Sequence, residues 1–255
     1  MSFLRKTIVS VESAILSSRQ SLGLLKVEAE KDIFTFNARD ATREWIASSD
    51  RSIGGGSKCQ WGFYHGNTRE QDGDATVSSE EGMITTVNKD DNVPSAVFSG
   101  NLSLACQPTE AGIIRSGYCA VRGALPAGLH FHGYKGIGMR IMTDGREYRM
   151  NLQTESWNPL NLYMGFLRTP ANEWVDVELP FDDFMLTAKG YYKFNDPTKL
   201  DPSKLKSIGF AIADQKEGDF ELRIQWIKAL HELDQPSKSS EDDDEDDDND
   251  NFESR

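Results

Sequence analysis

The sequence FELRIQW, at residues 220–226, alternates apolar and polar side chains without interruption. One face of the extended chain carries Phe220, Leu222, Ile224 and Trp226, because successive side chains of a strand point to opposite sides. The other face carries only polar side chains. This segment therefore predicts a β-strand with one face buried in a core.

The same pattern recurs along the chain. Alternation is also found in residues 98–104, 147–152 and 175–179, and further apolar stretches lie at residues 83–87, 137–142, 162–167 and 208–212. Gly, Asn, Asp and Pro residues separate these segments. Many short strands without helical patterns between them are typical of a β-sandwich or jelly roll. We therefore predict an all-β fold in one main domain.

Few segments favour helix or a defined turn. Residues 40–46 are predicted to be helical with Asp40 as the cap, and a short turn is expected after Asp201-Pro202. The dipeptide Asp144-Gly145 predicts a hairpin turn. These elements are too short to change the all-β class.

The two ends of the chain differ from its middle. Residues 1–26 combine apolar side chains at helical spacing with four basic residues and one acid, which predicts a mitochondrial targeting segment. An amphipathic helix docked on the domain is the alternative. Residues 236–255 contain the run EDDDEDDD and predict a disordered acidic tail. The β-sandwich domain is accordingly predicted for residues 27–235.

The negative charge of the chain is concentrated in that tail. Residues 239–255 carry −9 of the total net charge of −13, which leaves −4 for residues 1–238. Clustered Lys and Arg are needed to neutralise phosphates, so the composition argues against nucleic acid as a partner. No apolar run approaches the length of about 18 residues that spans a bilayer, so any membrane contact is expected to be peripheral.

The three cysteines, Cys59, Cys106 and Cys119, form no C-x-x-C pair. One thiol would remain if two of them were bridged. This pattern suits a reducing compartment and leaves a single disulfide open.

Eight short motifs follow one another in a fixed order along the chain. They are SDRSIGGGS at 49–57, FSGNL at 98–102, GIIRS at 112–116, GIGMR at 136–140, DGREY at 144–148, WVDVELPF at 174–181, IGFAIAD at 208–214 and GDFELRI at 218–224. This ordered set resembles the complex I intermediate-associated protein 30 family over roughly residues 34–230. Any one motif is weak evidence, whereas eight in sequence are fairly specific.

The resemblance implies a galactose-binding-like jelly-roll β-sandwich with few short helices. It also implies a non-enzymatic, chaperone-like role in assembling mitochondrial respiratory complex I. The expected partners are membrane-arm subunits and other assembly factors, and the expected location is the matrix, peripheral to the inner membrane. The family has relatives outside this pathway, so the domain does not by itself establish the pathway.

The segment at residues 50–57 is the first predicted partner-binding loop. Its glycines, including Gly54 and Gly55, can adopt positive φ, and Asp50 and Ser57 provide acceptors beside them. No phosphate-binding glycine motif is present. The alternative is a tight connection that leads into the strand around Trp61.

The second predicted partner surface combines the DGREY motif with a distant arginine. Asp144 begins the turn, and Arg146 and Tyr148 follow it in alternation. Arg146 and Arg115 are proposed to anchor a carboxylate or a carbonyl-rich partner, because a guanidinium offers a planar fork of donors. Surface arginines without such a role are the alternative.

Catalytic and metal sites find little support. His130 and His132 would share one side of a strand, but the sequence offers no third ligand at a matching spacing, so neither a metal nor a cofactor is expected. No catalytic motif is visible, and Asp182-Asp183 is predicted to lie in a surface turn. The runner-up is a carbohydrate-binding or cryptic enzymatic module. Its sugar platform would consist of Trp61, Phe63, Tyr64, Trp157, Tyr163, Tyr191 and Tyr192.

Overall fold

A computed structural model describes residues 28–66, 92–106, 116–156, 158, 161–188, 190–194, 196 and 198–233. The predicted terminal segments 1–26 and 236–255, the predicted strand at 83–87, Arg115 and Trp157 lie outside the described residues. The domain boundaries therefore stay predictions.

Strands dominate the described chain. They are β1 (Glu30–Thr35), β2 (Trp45–Ser49), β3 (Lys58–Tyr64), β4 (Ser95–Leu102), β5 (Cys119–Ala124), β6 (Gly136–Thr143), β7 (Tyr148–Thr154), β8 (Asn161–Leu167), β9 (Val175–Pro180), β10 (Met185–Ala188), β11 (Tyr191–Tyr192), β12 (Leu205–Ile212) and β13 (Gly218–Leu230). Short 3-10 turns lie at Arg39–Thr42, Asp50–Ile53, Phe181–Asp183 and Pro202–Lys204. Within these ranges, no helix has the length and apolar character that a membrane-spanning helix requires.

The described strands form two antiparallel sheets. The first sheet has the order β3-β4-β13-β6-β9, and β1 also pairs with β13. The second sheet has the order β11-β10-β8-β7-β12-β5-β2. The all-β fold predicted from the alternating segments and the jelly-roll sandwich implied by the family resemblance are both confirmed.

The core lies between the sheets and is formed by the side chains that the alternation assigned to it. The first sheet contributes Phe98 and Leu222, and the second contributes Met150, Leu152 and Phe210, all with no exposed surface. Burial of such side chains is the main favourable contribution to folding. Phe36, Trp45 and Trp61 extend this core as an aromatic cluster, in which the two indoles stack with centroids 4.8 Å apart.

Strand β13 departs from strict alternation at one point. Its register shifts between Ile224 and Trp226, so Ile227 and Ala229 take the buried positions. Trp226 is consequently half-buried instead of lying in the core. The prediction that all four apolar residues of FELRIQW share the core face is wrong at Trp226, because a bulge adds one residue and reverses the face.

The predicted helix at residues 40–46 is also wrong. Only the 3-10 turn Arg39–Thr42 forms, Ala38 precedes it as the cap residue, and Trp45 begins β2. Asp40 lies inside the turn and forms an ion pair with Arg43 at 3.0 Å. Trp45 is in a strand and not in the predicted helix because its indole packs in the aromatic cluster. This tertiary packing outweighs the local helix propensity of residues 40–46.

Two turn predictions have different outcomes. The turn after Asp201-Pro202 is confirmed, since the Asp201 side chain accepts a hydrogen bond from the Ser203 amide and caps it. The Asp144-Gly145 hairpin is wrong, because β6 and β7 belong to different sheets and these residues connect one sheet to the other. Asp182-Asp183 lies in an exposed turn, as predicted, and Asp182 pairs with Lys199 at the surface.

Candidate functional site

The described members of the predicted partner surface converge on one end of the sandwich. Strand register places them there: Gly218, the first residue of β13, lies opposite Leu102, the last of β4. Ile212, the last residue of β12, lies opposite both Cys119 and Tyr148, the first residues of β5 and β7. We call this region the loop end and define it as residues 50–57, 103–106, 116–118, 144–148, 168–174 and 213–217. It contains Asp50, Gly54, Gly55, Ser57, Asp144, Arg146 and Tyr148.

Asp50 is a buried hub that ties several of these loops together. Its side chain has no exposed surface, and its carboxylate accepts hydrogen bonds from the Ser57 amide at 2.9 Å and the Ser57 hydroxyl at 2.8 Å. The same carboxylate accepts from the amide of Gly117 at 2.6 Å and more weakly from that of Tyr118 at 3.4 Å. Ser57 extends the hub to a further loop, since its hydroxyl also contacts the carbonyl of Ser103 at 3.1 Å. Buried polar groups that are fully bonded in this way fix loop geometry.

The glycines of the 50–57 segment have steric roles at this hub. Gly54 ends the Asp50–Ile53 turn with φ of 92°, a left-handed conformation that favours glycine. A Cβ atom on Gly55 would overlap the Asp50 carboxyl group. The Gly55 amide also donates to the Asp50 carbonyl at 2.9 Å. The interpretation of this segment as a tight connection into the strand around Trp61 is therefore confirmed by β3, while partner binding by the loop stays a prediction.

Asp144 is a second hub at the same end. Its carboxylate accepts from the Arg146 amide at 3.1 Å, from the Tyr148 hydroxyl at 3.1 Å and from the Glu221 amide at 3.0 Å. Tyr148 has no exposed surface, and its burial, together with the nearby Asp144 carboxylate, raises the pKa of its phenol. Tyr148 thus closes the core beneath the turn, and its side chain offers no surface to a partner.

Arg146 binds a carboxylate and several carbonyls, but they belong to its own chain. Its guanidinium forms a two-point ion pair with Asp214, with Nε to Oδ2 at 3.0 Å and Nη2 to Oδ1 at 2.7 Å. It also donates to the carbonyls of Lys216, Gly218 and Asp219. Only 12% of the Arg146 side chain and 4% of the Asp214 side chain are exposed. Arg146 therefore binds a carboxylate and carbonyls inside its own fold, and the partner contact predicted for it stays a prediction.

The electrostatics of this pair follow from its burial and its hydrogen bonds. Hydrogen bonds to Asp214 raise the pKa of Arg146 above its usual range. Burial opposes ionisation of Asp214, yet hydrogen bonds from Arg146 and from the Lys216 amide outweigh it and lower the pKa of this carboxyl. The pair is therefore charged at neutral pH and holds the 213–217 loop against the 144–148 turn.

The two hubs are connected to each other through neighbouring loops. The Leu104 amide donates to the Glu217 carboxylate at 2.9 Å, and the Ser116 hydroxyl donates to the Leu104 carbonyl at 2.8 Å. Ser116 is followed by Gly117, which bonds to Asp50, while Glu217 belongs to the 213–217 loop that Arg146 holds. One network of hydrogen bonds therefore orders most of the loop end.

The exposed surface of the loop end includes side chains that were not among the predicted partner-binding residues. Arg51, Gln215 and Lys216 are exposed beside the hubs. Gln215 has φ of 62°, so the loop presents it in a backbone conformation that non-glycine residues rarely adopt. Their positions next to motif residues could have identified them from the sequence. Arg51 directly follows Asp50, and Gln215 and Lys216 directly follow the IGFAIAD motif. Arg115, the remaining predicted residue, precedes Ser116 and is outside the described chain.

The described residues offer little for chemistry. They contain no group of three or more His, Cys, Asp or Glu side chains that could hold a metal ion. His130 and His132 lie in the connection between β5 and β6 and not on a strand. An open depression of about 400 Å³ lies on the outer face of the second sheet, lined by Glu44, Ile46, Arg122, Ala124, Gln153, Lys206 and Ser207. It is separate from the loop end.

The aromatic side chains proposed as a sugar platform do not share one surface. Trp61 packs into the aromatic cluster and donates its indole N–H to the Thr42 carbonyl at 3.1 Å. Tyr163 is 5% exposed and belongs to the core of the second sheet, whereas Trp61 is on the first. Tyr191 is exposed on β11, the edge strand of the second sheet. The prediction of a single aromatic platform is therefore wrong.

Comparisons with known proteins give one family and one fold. The family model described as Complex I intermediate-associated protein 30 matches residues 34–224. A Neurospora crassa protein named Complex I intermediate-associated protein 30, mitochondrial, is 33% identical over 150 residues, covering 55% of this chain and 53% of that protein. The Mus musculus protein of the same name is 27% identical over 214 residues, covering 79% of this chain and 56% of that protein. The chain thus spans little more than half the length of these relatives.

Solved structures with this fold include a sugar-binding protein. The family 11 carbohydrate-binding module from Clostridium thermocellum, in complex with a mixed-linked tetrasaccharide, superposes with a TM-score of 0.53 and 20% sequence identity. The superposition covers 82% of this chain and 99% of that module. At this level of identity the likeness shows the jelly-roll fold alone.

Proposed function

This chain belongs to the complex I intermediate-associated protein 30 family, and from that membership we propose that it is a non-enzymatic assembly factor for mitochondrial respiratory complex I. The family match runs from β1 into β13 and includes both hubs, Asp50 and Asp144. The relatives' names contain the words complex I intermediate-associated and mitochondrial. These words support the proposal, and we place this chain in the mitochondrion as well.

The observation that carries the proposal is the ordering of the loop end by two hubs, the buried Asp50 and the half-buried Asp144 with its neighbour Arg146. Association costs less free energy when the binding loops are already fixed in the free protein. Asp50 holds these loops through hydrogen bonds from neutral donors, and Arg146 holds them through its ion pair with Asp214, all inside the fold. The exposed groups between the hubs, Arg51, Gln215 and Lys216 among them, then form the contact surface. The loop end is accordingly proposed as the surface that binds a protein partner.

A binding role also agrees with the chemistry of the side chains. Three charged groups form hydrogen bonds with internal backbone groups of the same chain. They are the carboxylates of Asp50 and Asp144 and the guanidinium of Arg146. A general base or nucleophile needs a free lone pair directed at a substrate. The described members of the predicted site therefore serve as structural supports for a surface.

The finer form of the proposal concerns the partner. We take it to be an incompletely assembled membrane-arm intermediate, bound together with other assembly factors on the matrix side of the inner membrane. A chaperone-like factor that covers exposed apolar surface of such an intermediate lowers its tendency to aggregate until the next module docks. Arg51 and Lys216 give the loop end two exposed cationic groups for acceptors on this partner.

The test is complementation of a strain that lacks the gene. Loss of the gene is expected to deplete assembled complex I and leave membrane-arm intermediates on native gels, and the wild-type chain should restore assembly. A chain with both Arg51→Glu and Lys216→Glu should fold normally and restore little complex I. The matched control is Lys135→Glu, an exposed charge at the opposite end of the sandwich, just before β6. It should restore assembly fully.

Two results would contradict the proposal. Normal complex I assembly in the deletion strain would remove the assembly role. Full rescue by the Arg51 and Lys216 variant, with loss of rescue by the Lys135 variant, would leave the role intact and place the binding surface elsewhere.

A further inference from the structure

Two cysteines, Cys59 and Cys119, lie next to the segments that bond to the Asp50 hub. Cys59 is the second residue of β3 in the first sheet, and Cys119 is the first residue of β5 in the second sheet. Each thiol is the largest influence on the pKa of the other, so the two side chains are neighbours. The backbone places both beside the end of β2: the Cys59 Sγ donates to the Ser48 carbonyl at 3.2 Å, and Cys119 pairs with Ser49 across the sheet.

The two thiols differ in access and acidity. Cys119 has no exposed surface, whereas Cys59 is half-buried. The hydrogen bond from Cys119, aided by the Ala120 and Ser48 backbone, lowers the pKa of Cys59 despite its partial burial. The same hydrogen bond, followed by burial, raises the pKa of Cys119. Cys59 is therefore the thiol that a reagent meets first, because the thiolate is the nucleophile in thiol chemistry.

We propose that Cys59 and Cys119 form a redox-active dithiol that closes to an intramolecular disulfide by exchange with a disulfide of a low-molecular-weight thiol, such as glutathione disulfide. The Cys59 thiolate attacks one sulfur of that molecule, forms a mixed disulfide and releases one thiol. Cys119 then loses its proton, attacks the Cys59 sulfur and releases the second thiol. The protein dithiol is oxidised by two electrons, and one small disulfide is reduced to two thiols.

The position of this pair gives the bond a structural consequence. Ser57 lies two residues before Cys59, and Tyr118 immediately precedes Cys119, so the bond would join the two segments that hold the Asp50 carboxylate. A covalent link between sheets at this point should stiffen the loop end, because a disulfide restricts the open states of the chain it closes. This inference concerns thiol chemistry and stands whether or not the loop end binds complex I intermediates.

The test uses the purified full chain, fully reduced, then incubated with glutathione disulfide under native conditions. Trypsin separates the three cysteines, since Cys59 falls in peptide 59–69, Cys106 in peptide 90–115 and Cys119 in peptide 116–122. After free thiols are alkylated, mass spectrometry should show peptides 59–69 and 116–122 joined by a disulfide, and excess reduced glutathione should reverse the link. The Cys106→Ser control should give the same result.

Two single variants separate the steps. Cys119→Ser should accumulate one glutathione adduct on Cys59, and Cys59→Ser should leave Cys119 unreacted while the chain is folded. If Cys119→Ser fails to fold, the wild-type peptide map and the Cys59→Ser variant still show whether the disulfide forms through Cys59. Amide hydrogen exchange at Ser57 and Gly117 should be slower in the oxidised chain than in the reduced chain.

Other outcomes would overturn the inference. These are a Cys59–glutathione adduct that persists in the wild-type chain beside an unreacted Cys119, or a disulfide that includes Cys106. Absence of any native-state reaction, while the urea-unfolded chain reacts at all three cysteines, would overturn it as well.

Discussion

Replacing Asp50 by alanine tests whether the buried hub holds the loop end together. The substitution removes the acceptor of the Ser57 amide at 2.9 Å and of the Gly117 amide at 2.6 Å. Both donors are directed into a buried site that the 50–57 segment and the 117–118 segment share. The Ser57 hydroxyl loses one partner and keeps the Ser103 carbonyl at 3.1 Å, so it contributes little to the loss.

The size of the effect follows from the two orphaned amides. A buried donor left without a partner costs about 1–3 kcal/mol, and removing a carboxylate from a buried site returns part of its desolvation penalty. We therefore expect Asp50→Ala to lower the free energy of unfolding by about 2–4 kcal/mol. With a urea m-value of about 2–3 kcal/mol/M, the midpoint should fall by roughly 1 M at unchanged m.

Urea unfolding followed by intrinsic tryptophan fluorescence measures this loss. The matched control is Asp40→Ala, because that carboxylate is 76% exposed and forms only a surface ion pair with Arg43. Its loss should stay below about 1 kcal/mol. A decrease for Asp50→Ala no larger than that of Asp40→Ala would refute the account of Asp50 as the hub.

Three further predictions follow from neighbouring contacts. Gly55→Ala should destabilise the chain by about 1–3 kcal/mol in thermal unfolding, because the added methyl group would overlap the Asp50 carboxyl group. The control Gly62→Ala places its methyl group near no other atom and should cause no such loss. Equal melting temperatures for the two variants would contradict this prediction. Asp214→Asn should cost about 2–4 kcal/mol at neutral pH. Since the pKa of Asp214 is lowered on folding, its contribution is present above the unfolded-state pKa of about 4, and the difference from wild type should shrink as the pH falls below it; a difference that grows in acid would show the opposite sign. Tyr148→Phe removes the bond to Asp144 at 3.1 Å and should cost about 0.5–1.5 kcal/mol in urea unfolding, and a more stable variant would show that this bond contributes nothing.

The strands could be predicted from sequence because a half-buried strand requires alternation, which is a local property. Residues 148–152 and 208–212 form strands whose apolar side chains are buried as expected. Long-range contacts explain the errors. Trp45 is drawn into β2 by its stacking on Trp61, and the bulge near Trp226 depends on how β13 pairs with β6. Turn residues at Asp144-Gly145 specify a reversal but not which strand the chain joins next.

The sequence predicted which residues lie at the candidate site, but it did not predict which residues they contact. Arg146 was expected to bind a carboxylate, but Asp214 lies 68 residues away, and no local pattern relates the two. Asp50 was expected to face a partner, whereas the 117–118 segment reaches its carboxylate only after the two sheets have packed. Motif reading therefore located the loop end, and the structure showed that most motif side chains support the surface from inside.

Photo-crosslinking in mitochondria tests the proposed binding surface most directly. A photoreactive amino acid is placed at Arg51 or at Lys216 on the loop end, and at Lys135 on the opposite end, and the crosslinked proteins are identified by mass spectrometry. The account predicts crosslinks to complex I subunits or their assembly factors from Arg51 and Lys216 and none from Lys135. Crosslinks to these proteins from Lys135 alone, or from none of the three positions, would contradict it.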